Sequence, residues 1–221
     1  MPDIVKILSI KEITHDVKSF RIEKPAGYQF VPGQATEVAV NKPGMTEEKR
    51  PFTFTSLNED PFLEFTIKQY KDHHGVTDLL HQLRPGDELI INDVWGAIEY
   101  KGPGYFIAGG AGITPFLSIM RQLHKAHQLK GNKLFFSNKT AADIICEEEL
   151  TDMLDDDAVF ILSKEENSKY KSGHIDEDFI KQNITDFHQH FYICGPDPMI
   201  TAIATILEQS GAETDSVVFE K

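Results

Sequence analysis

The chain has 221 residues, 40% of them hydrophobic and 26% charged, with a formal net charge of −13; this is the profile of a globular protein of one large or two small domains. The acidity is shared, with 11 basic against 16 acidic side chains in residues 1–100 and 11 against 19 in residues 101–221. That balance argues against a nucleic-acid or acidic-membrane partner, since both need clustered Lys and Arg.

The first hundred residues read as short strands at Val5–Ser9, Val17–Ile22, Ala35–Ala39, Phe52–Ser56, Phe62–Ile67 and Glu88–Asn92, separated by Gly- and Pro-bearing turns such as Pro32-Gly33 and Arg84-Pro85-Gly86-Asp87. Regular short strands with such punctuation predict an antiparallel barrel or sandwich. One helix, Asp78–Leu83 with Thr77 as its N-cap, interrupts them. The character changes near Lys101-Gly102-Pro103-Gly104. A buried strand at Tyr105–Ala108 is followed by a glycine turn and a helix from Thr114 or Pro115 to about His127. Strands at Leu134–Ser137, Val159–Leu162, Phe191–Cys194 and Val217–Phe219 then alternate with an acidic helix at Asp143–Leu154 and a last helix capped by Asp197 and begun by Pro198. Alternation of this kind predicts a mostly parallel sheet with helices on both faces. Lys164–Ser172, rich in charge, Ser and Asn, reads as a surface loop.

No apolar run reaches the length of a membrane span. The start Met1-Pro2-Asp3-Ile4-Val5-Lys6 lacks the apolar core of a secretion signal. Two cysteines, Cys146 and Cys194, are too few for a disulfide scaffold or a four-thiolate iron–sulfur site. A reducing cytoplasm is the expected location. The histidine pairs (His73 with His74, His124 with His127, His188 with His190) lack carboxylate or thiolate partners at ligand spacing, and no metal site is expected.

Three segments carry chemistry. Gly109-Gly110-Ala111-Gly112-Ile113-Thr114-Pro115 joins a buried strand to a helix start, where backbone N–H groups and the helix dipole suit a pyrophosphate; a plain strand-to-helix turn uses the same residues. Arg50-Pro51-Phe52-Thr53-Phe54-Thr55-Ser56 offers a guanidinium for phosphate oxygens, a ring for a flat ligand and hydroxyls for its edge. Strand alternation puts Arg50, Phe52 and Phe54 on one face and Thr53 and Thr55 on the other; ordinary core phenylalanines would give the same pattern. Cys194-Gly195-Pro196-Asp197-Pro198-Met199 ends a strand at the carboxyl edge of the sheet, where open α/β sheets bind ligands. Gly75-Val76-Thr77 adds a second glycine and helix start in the first half.

In this order the segments resemble the ferredoxin–NADP reductase superfamily over nearly the whole chain. The resemblance rests on Arg50-Pro51-Phe52-Thr53, Phe30-Val31-Pro32-Gly33-Gln34, Gly75-Val76-Thr77 after Ile67-Lys68, Gly109–Pro115 and Cys194–Met199. It implies an antiparallel six-stranded FAD-binding barrel, residues 1–101, followed by an NAD(P)-binding α/β domain, residues 102–221. It implies that Arg50 and Pro51 contact the flavin phosphates, that Phe52 lies against the ring, and that Thr53 hydrogen-bonds near flavin N5. Ile67, Lys68, Gly75, Val76 and Thr77 would complete the flavin site. Gly109, Gly110, Ala111, Gly112, Ile113, Thr114 and Pro115 would bind the dinucleotide pyrophosphate. Cys194, with Gly195, Pro196 and Met199, would flank the nicotinamide, and Glu220 matches a carboxylate near the family's C-terminus. Ser137 and Asn138, with Lys139 and Lys164, are candidates for the ribose 2′ position, so NADPH and NADH both stay open.

The expected activity is an NAD(P)H-dependent flavin oxidoreductase using FAD rather than FMN. It would act as a monomer and pass electrons to a small carrier such as flavodoxin or ferredoxin. A ferric-siderophore or free-flavin reductase, or a non-catalytic flavin-binding subunit, would carry the same motifs. Lys164, Lys169 and Lys171 are candidates for an acidic carrier's docking patch. Two departures stand out. Phe52 replaces the usual tyrosine, and the sequence stops at Phe219-Glu220-Lys221, short of the aromatic that covers the flavin in relatives.

Overall fold

The computed structural model describes residues 2–70, 75–96, 98–213 and the backbone of 217–219. Glu220, His73 and His74 lie outside the described residues. The chain divides into two compact units, Met1–Gly96 and Ala97–Lys221.

The first unit contains six antiparallel strands: β1 (Asp3–Thr14), β2 (Val17–Glu23), β3 (Ala35–Val40), β4 (Arg50–Thr53), β5 (Phe62–Lys68) and β6 (Glu88–Trp95). They hydrogen-bond in the order β4-β3-β6-β1-β2-β5. A bridge between Phe54 and Phe65 joins the two end strands and closes the barrel. Closure removes the unpaired edges that an open sheet would expose. Period-two alternation turns Leu63, Phe65 and Ile67 of β5, and Phe20 and Ile22 of β2, into one core with Val38, Val40 and Leu89. Phe54 lies at its centre, stacked on Phe30 at 4.4 Å between ring centroids. Helix α1 (Val76–Leu80) plugs one side through buried Val76 and Leu80.

Strands β1 and β6 run longer than the sequence reading, and two further boundaries in this unit shift for local reasons. Strand β4 starts at Arg50 and its ladder with β3 ends at Thr53, because Phe54, while still donating to Gln34 O, bridges Phe65 of β5 and Thr55 pairs with β5. Helix α1 is capped by extended Gly75, so Thr77 lies inside the first turn and its hydroxyl does not cap it.

The second unit is a six-stranded parallel sheet in the order β10-β9-β8-β7-β11-β12. Its strands are β7 (Gly104–Gly109), β8 (Lys133–Asn138), β9 (Ala158–Leu162), β10 (Lys171–Ser172), β11 (His190–Cys194) and β12 (Val217–Phe219). Helices α2 (Thr114–Lys125), α3 (Glu147–Leu154), α4 (Glu177–Asn183) and α5 (Asp197–Gln209) connect them. Parallel strands need such crossovers. Helix α5 shows why it packs: Ile200, Ile203 and Leu207 recur on one face and join Ile107, Phe135 and Ile193 of the sheet in a shared core. The entry to the unit is pinned by Tyr192. Its buried hydroxyl accepts from Lys101 N at 2.9 Å and Gly102 N at 3.0 Å and donates to Gly102 O at 2.8 Å.

Several element ends depart from expectation for local reasons. Pro196 is the N-cap of α5, with Asp197 and Pro198 as its first residues, so Asp197 does not cap. Helix α2 continues out of a 3₁₀ turn, Gly110–Ile113, leaving Thr114 without the cap position. The acidic helix is broken: a 3₁₀ turn at Ala141–Asp143, boxed by Thr140, is followed by left-handed Cys146, and only then by α3. The Lys164–Ser172 segment ends in an edge strand, β10. Helix α4 is an addition to the elements expected from the sequence.

Candidate functional site

In the parallel sheet, chain order runs outward from β7 through β8 and β9 to β10 on one side, and from β11 to β12 on the other. The switch lies between β7 and β11, whose carboxyl ends are Gly109 and Cys194. Open sheets bind ligands at that point. The two glycine-bearing motifs interlock there. A Cβ on Gly112 would land on the Cys194 carbonyl and 2.6 Å from Gly195 N. One on Gly109 would lie 2.5 Å from Met199 Sδ and 3.0 Å from Pro196 Cδ. One on Gly195 would lie 3.1 Å from Gly109 N. Gly112 is required by backbone packing, while Gly109 and Gly195 are tightly packed against Met199, Pro196 and each other. Gly110 differs: its φ is +53°, and a Cβ there would have nothing within 4 Å. Of the motif's glycines, Gly110 is the one whose backbone faces open space, as an approaching pyrophosphate requires.

Around this turn, Ile113 and Cys194 are buried, Ala111 and Gly195 half-buried, and Pro196 exposed. Thr114 and Pro115 form the first turn of α2. Neither Cys194 nor Cys146 is in a disulfide. Ser137 stands beside Gly109 in the β7–β8 ladder. Asn138, the last residue of β8, is 5% exposed, yet its amide oxygen and nitrogen have no hydrogen-bond partner. An orphaned amide costs stability unless something pairs with it, and its place at a strand's carboxyl end fits a nucleotide. Glu165, beyond β9, accepts from Ala141 N at 2.9 Å and from Asn167 at 3.1 Å. Those bonds hold its carboxyl below the usual range.

Two of the three candidate docking lysines, Lys169 and Lys171, have side-chain partners. Lys169 pairs with Glu147 at 2.5 Å and Lys171 donates to Asn183 at 2.7 Å. They knit the loop to α3 and α4 instead of forming an open basic patch.

In the barrel, β4 carries Arg50, Pro51, Phe52 and Thr53. The Arg50 guanidinium is exposed and donates to Lys49 O at 2.6 Å. Phe52 is half-buried and packs against the core, 6.3 Å from the Phe65 ring. Thr53 is 9% exposed and pairs with Ala35. Its neighbours on the outer face form a polar strip that the sequence did not reveal. Thr55 Oγ1 donates to Glu64 Oε1 at 3.1 Å and lies 3.2 Å from Thr66 Oγ1; Arg21 Nε donates to Glu64 Oε2 at 3.0 Å. Glu64 falls in an alternating strand pattern and reads there as a solvent position, so only the fold exposes its burial.

Ile67 and Lys68 end β5. Lys68 is ion-paired with Asp16 at 3.0 Å, and Ile67 O receives the His81 ring nitrogen at 2.8 Å. Burial pushes the Asp16 carboxyl up, but the Lys68 bond and charge outweigh it and hold it below the usual value. Gln69 donates to Asp78 at 2.8 Å, tying the end of β5 to α1. Gly75, Val76 and Thr77 then supply a helix start with no side-chain cap among the described residues, where first-turn N–H groups suit an anion. The residues therefore fit an FAD pyrophosphate in the first unit and a nicotinamide dinucleotide in the second.

Comparison with known proteins agrees. The family described as oxidoreductase FAD-binding domain matches residues 4–100, and oxidoreductase NAD-binding domain matches residues 106–205. The chain is 28% identical over 236 residues to the propane 2-monooxygenase reductase component of Rhodococcus jostii (strain RHA1), covering 98% of this chain and 62% of that protein. It is 28% identical over 220 residues to NADH-cytochrome b5 reductase 2 of Candida glabrata, covering 90% of this chain and 73% of the relative. A ferredoxin NADP+ reductase from Neisseria gonorrhoeae, solved with bound FAD and NADP, superposes with a TM-score of 0.87 at 21% identity, over 99% of this chain and 98% of that one. Among the described residues, no helix is long and apolar enough to cross a membrane.

Proposed function

The chain belongs to the ferredoxin–NADP reductase superfamily, and on that footing we propose that it oxidises a reduced nicotinamide dinucleotide through bound FAD and hands the electrons to a carrier protein. When bound, the two cofactors supply the hydride and electron chemistry. The chain's residues supply binding and orientation. The observation that carries the reading is the interlock of Gly109 and Gly112 with Cys194 and Gly195, which joins two distant motifs into one surface at the sheet's switch point.

On this reading the Gly110 backbone receives the dinucleotide pyrophosphate, with Ala111, Ile113, Thr114 and Pro115 shaping the turn behind it. Asn138 and Ser137 take the adenosine half, and Cys194 flanks the nicotinamide. Arg50 and the start of α1 hold the FAD phosphates, with Ile67 and Lys68 framing them, and Phe52 and Thr53 meet the flavin ring. Glu220 stays a candidate second carboxylate at the transfer point. The carrier is proposed to be a small redox protein of ferredoxin or flavodoxin type. The chain spans 62% of the length of the propane 2-monooxygenase reductase component it resembles, and that relative's name supports an electron-delivering role. Arg50→Ala is expected to weaken FAD retention by about tenfold or more, since it removes a charge-assisted phosphate contact. Full FAD occupancy in the purified variant counts against the assignment.

A further inference from the structure

A barrel strand presents one dry face and one wet face. Strand β5 obeys this on the inside, where Leu63, Phe65 and Ile67 are 0%, 0% and 2% exposed. On the outside it does not: Glu64 and Thr66 are each 6% exposed, and Ser19, opposite Thr66, is 7% exposed. Thr55 on the same strip is fully buried. A carboxylate taken out of water is costly unless its lone pairs are well used, so its retention calls for a reason.

The bonds around it supply one. The β4 ladder ends at Thr53. Beyond it Thr55 N donates to Glu64 O at 2.8 Å, and Glu64 N donates to Ser56 Oγ at 2.9 Å. Phe54 is held from both sides, donating its N–H to Gln34 O at 3.1 Å and bridging Phe65 of β5, so Thr53 on the β3 side and Thr55 on the β5 side are joined through one doubly held residue. Two residues span at most about 7 Å, so whatever fixes Thr55 fixes Thr53. A hydroxyl carries one proton. Thr55 Oγ1 has two Glu64 acceptors in reach, Oε1 at 3.1 Å and the backbone O at 3.3 Å; the nearer and charged one is the stronger acceptor, and with the proton there Thr55 Oγ1 is left to accept from Thr66 at 3.2 Å. The other Glu64 oxygen takes Arg21 Nε at 3.0 Å, and the Arg21 guanidinium sits 4.4 Å over the Phe62 ring with its side chain half exposed. The chain of donors is therefore directional: Thr66 to Thr55 to Glu64, anchored by Arg21.

We propose that Glu64 is a positioning residue for the flavin-contacting strand: its buried carboxylate, clamped by Arg21, orients Thr55 and through it the Thr53 hydroxyl, and sets a fixed negative charge beside the flavin. This rests on the reading that Thr53 meets the ring. The test uses the FAD-loaded full chain in three variants. Glu64→Gln keeps the shape and an oxygen for Thr55 but removes the charge. Thr55→Val removes the donor, and Thr55→Ser restores it. Anaerobic titration with dithionite reads the flavin midpoint potential, and stopped-flow mixing with NADH or NADPH separates the limiting reduction rate from nicotinamide affinity. Thr55→Val is expected to slow the limiting rate about tenfold at unchanged nicotinamide affinity, with Thr55→Ser near wild type. Glu64→Gln is expected to shift the midpoint potential upward, because a nearby negative charge disfavours an electron-rich ring. Loss of thermal stability with wild-type rate and potential overturns the proposal. If neither nicotinamide reduces the wild-type flavin, the oxidoreductase reading falls, and the dithionite potential of Glu64→Gln still decides this one. The same measurement decides it if Thr55→Val does not fold.

Discussion

Gly110 and Gly112 are two residues apart and are glycine for opposite reasons. Gly112→Ala drives a methyl into the Cys194 carbonyl, backbone against backbone with nothing flexible to yield. It is expected to destabilise the second unit by about 3 kcal/mol, read as a shift of the denaturant midpoint. Gly110→Ala meets no neighbour but must hold φ at +53°, at a cost of about 1–2 kcal/mol. Its larger effect is expected in nicotinamide affinity; an unchanged dissociation constant would remove Gly110 from the pyrophosphate site. The motif's spelling was legible in the sequence, whereas the division of labour among its glycines was not, because the atoms Gly109 and Gly112 approach come from β11 and α5. His81 was invisible for a similar reason. It is 8% exposed, edge-on to Phe20, and bonded to Ile67 O. Burial pushes its pKa below 6.5, with Lys18 adding to the shift and Asp16 and Asp78 opposing it. An unfolded histidine takes up its proton below about pH 6.5, while the folded one resists. The barrel should therefore lose stability as pH falls from about 6.5 toward the depressed folded value. His81→Gln should flatten that slope in melting experiments; an unaltered slope would mean that other groups titrate.

At the scale of elements, the strands were the legible part. Alternating runs such as Phe62–Lys68 and buried runs such as His190–Cys194 announce themselves by composition and punctuation. Helix ends were less so. Thr77, Thr114 and Asp197 all have good capping chemistry, yet Gly75, Ile113 and Pro196 occupy the cap positions. At Ile113 and Pro196 the preceding turn, set by the close approach of Gly112 to Cys194 or by the proline itself, fixes where helical geometry begins. Helix α4 was hidden because it is seven residues long and Ile180 is its one buried residue. It does have a working cap: the Asp176 carboxylate accepts Phe179 N at 2.9 Å. Asp176→Ala is expected to cost about 1 kcal/mol, seen as faster amide exchange in α4. The Lys164–Ser172 segment also looked free by composition. Glu165 and Lys169 pin it to Ala141 and to Glu147 of α3, with Asn167 bracing the loop internally, which local polarity cannot reveal.

At the scale of the molecule, two units with separate cores match the FAD-binding and NAD-binding oxidoreductase domain families in turn. The division of the motifs, flavin-type before Gly96 and nucleotide-type after it, follows the boundary between the units. Fold and cofactor classes were readable because several specific segments occur in one order. The carrier was not readable, since docking depends on surface charge arranged in three dimensions; of the lysines suggested for it, Lys169 and Lys171 pair with Glu147 and Asn183. The account is tested most directly by mixing FAD-loaded protein with NADH and with NADPH in the absence of oxygen, beside Cys194→Ala. The prediction is rapid bleaching of the flavin band by at least one nicotinamide, slowed about tenfold or more in Cys194→Ala at full FAD occupancy. A protein that neither retains nor can be reconstituted with FAD, or whose flavin stays oxidised with both nicotinamides, would contradict it.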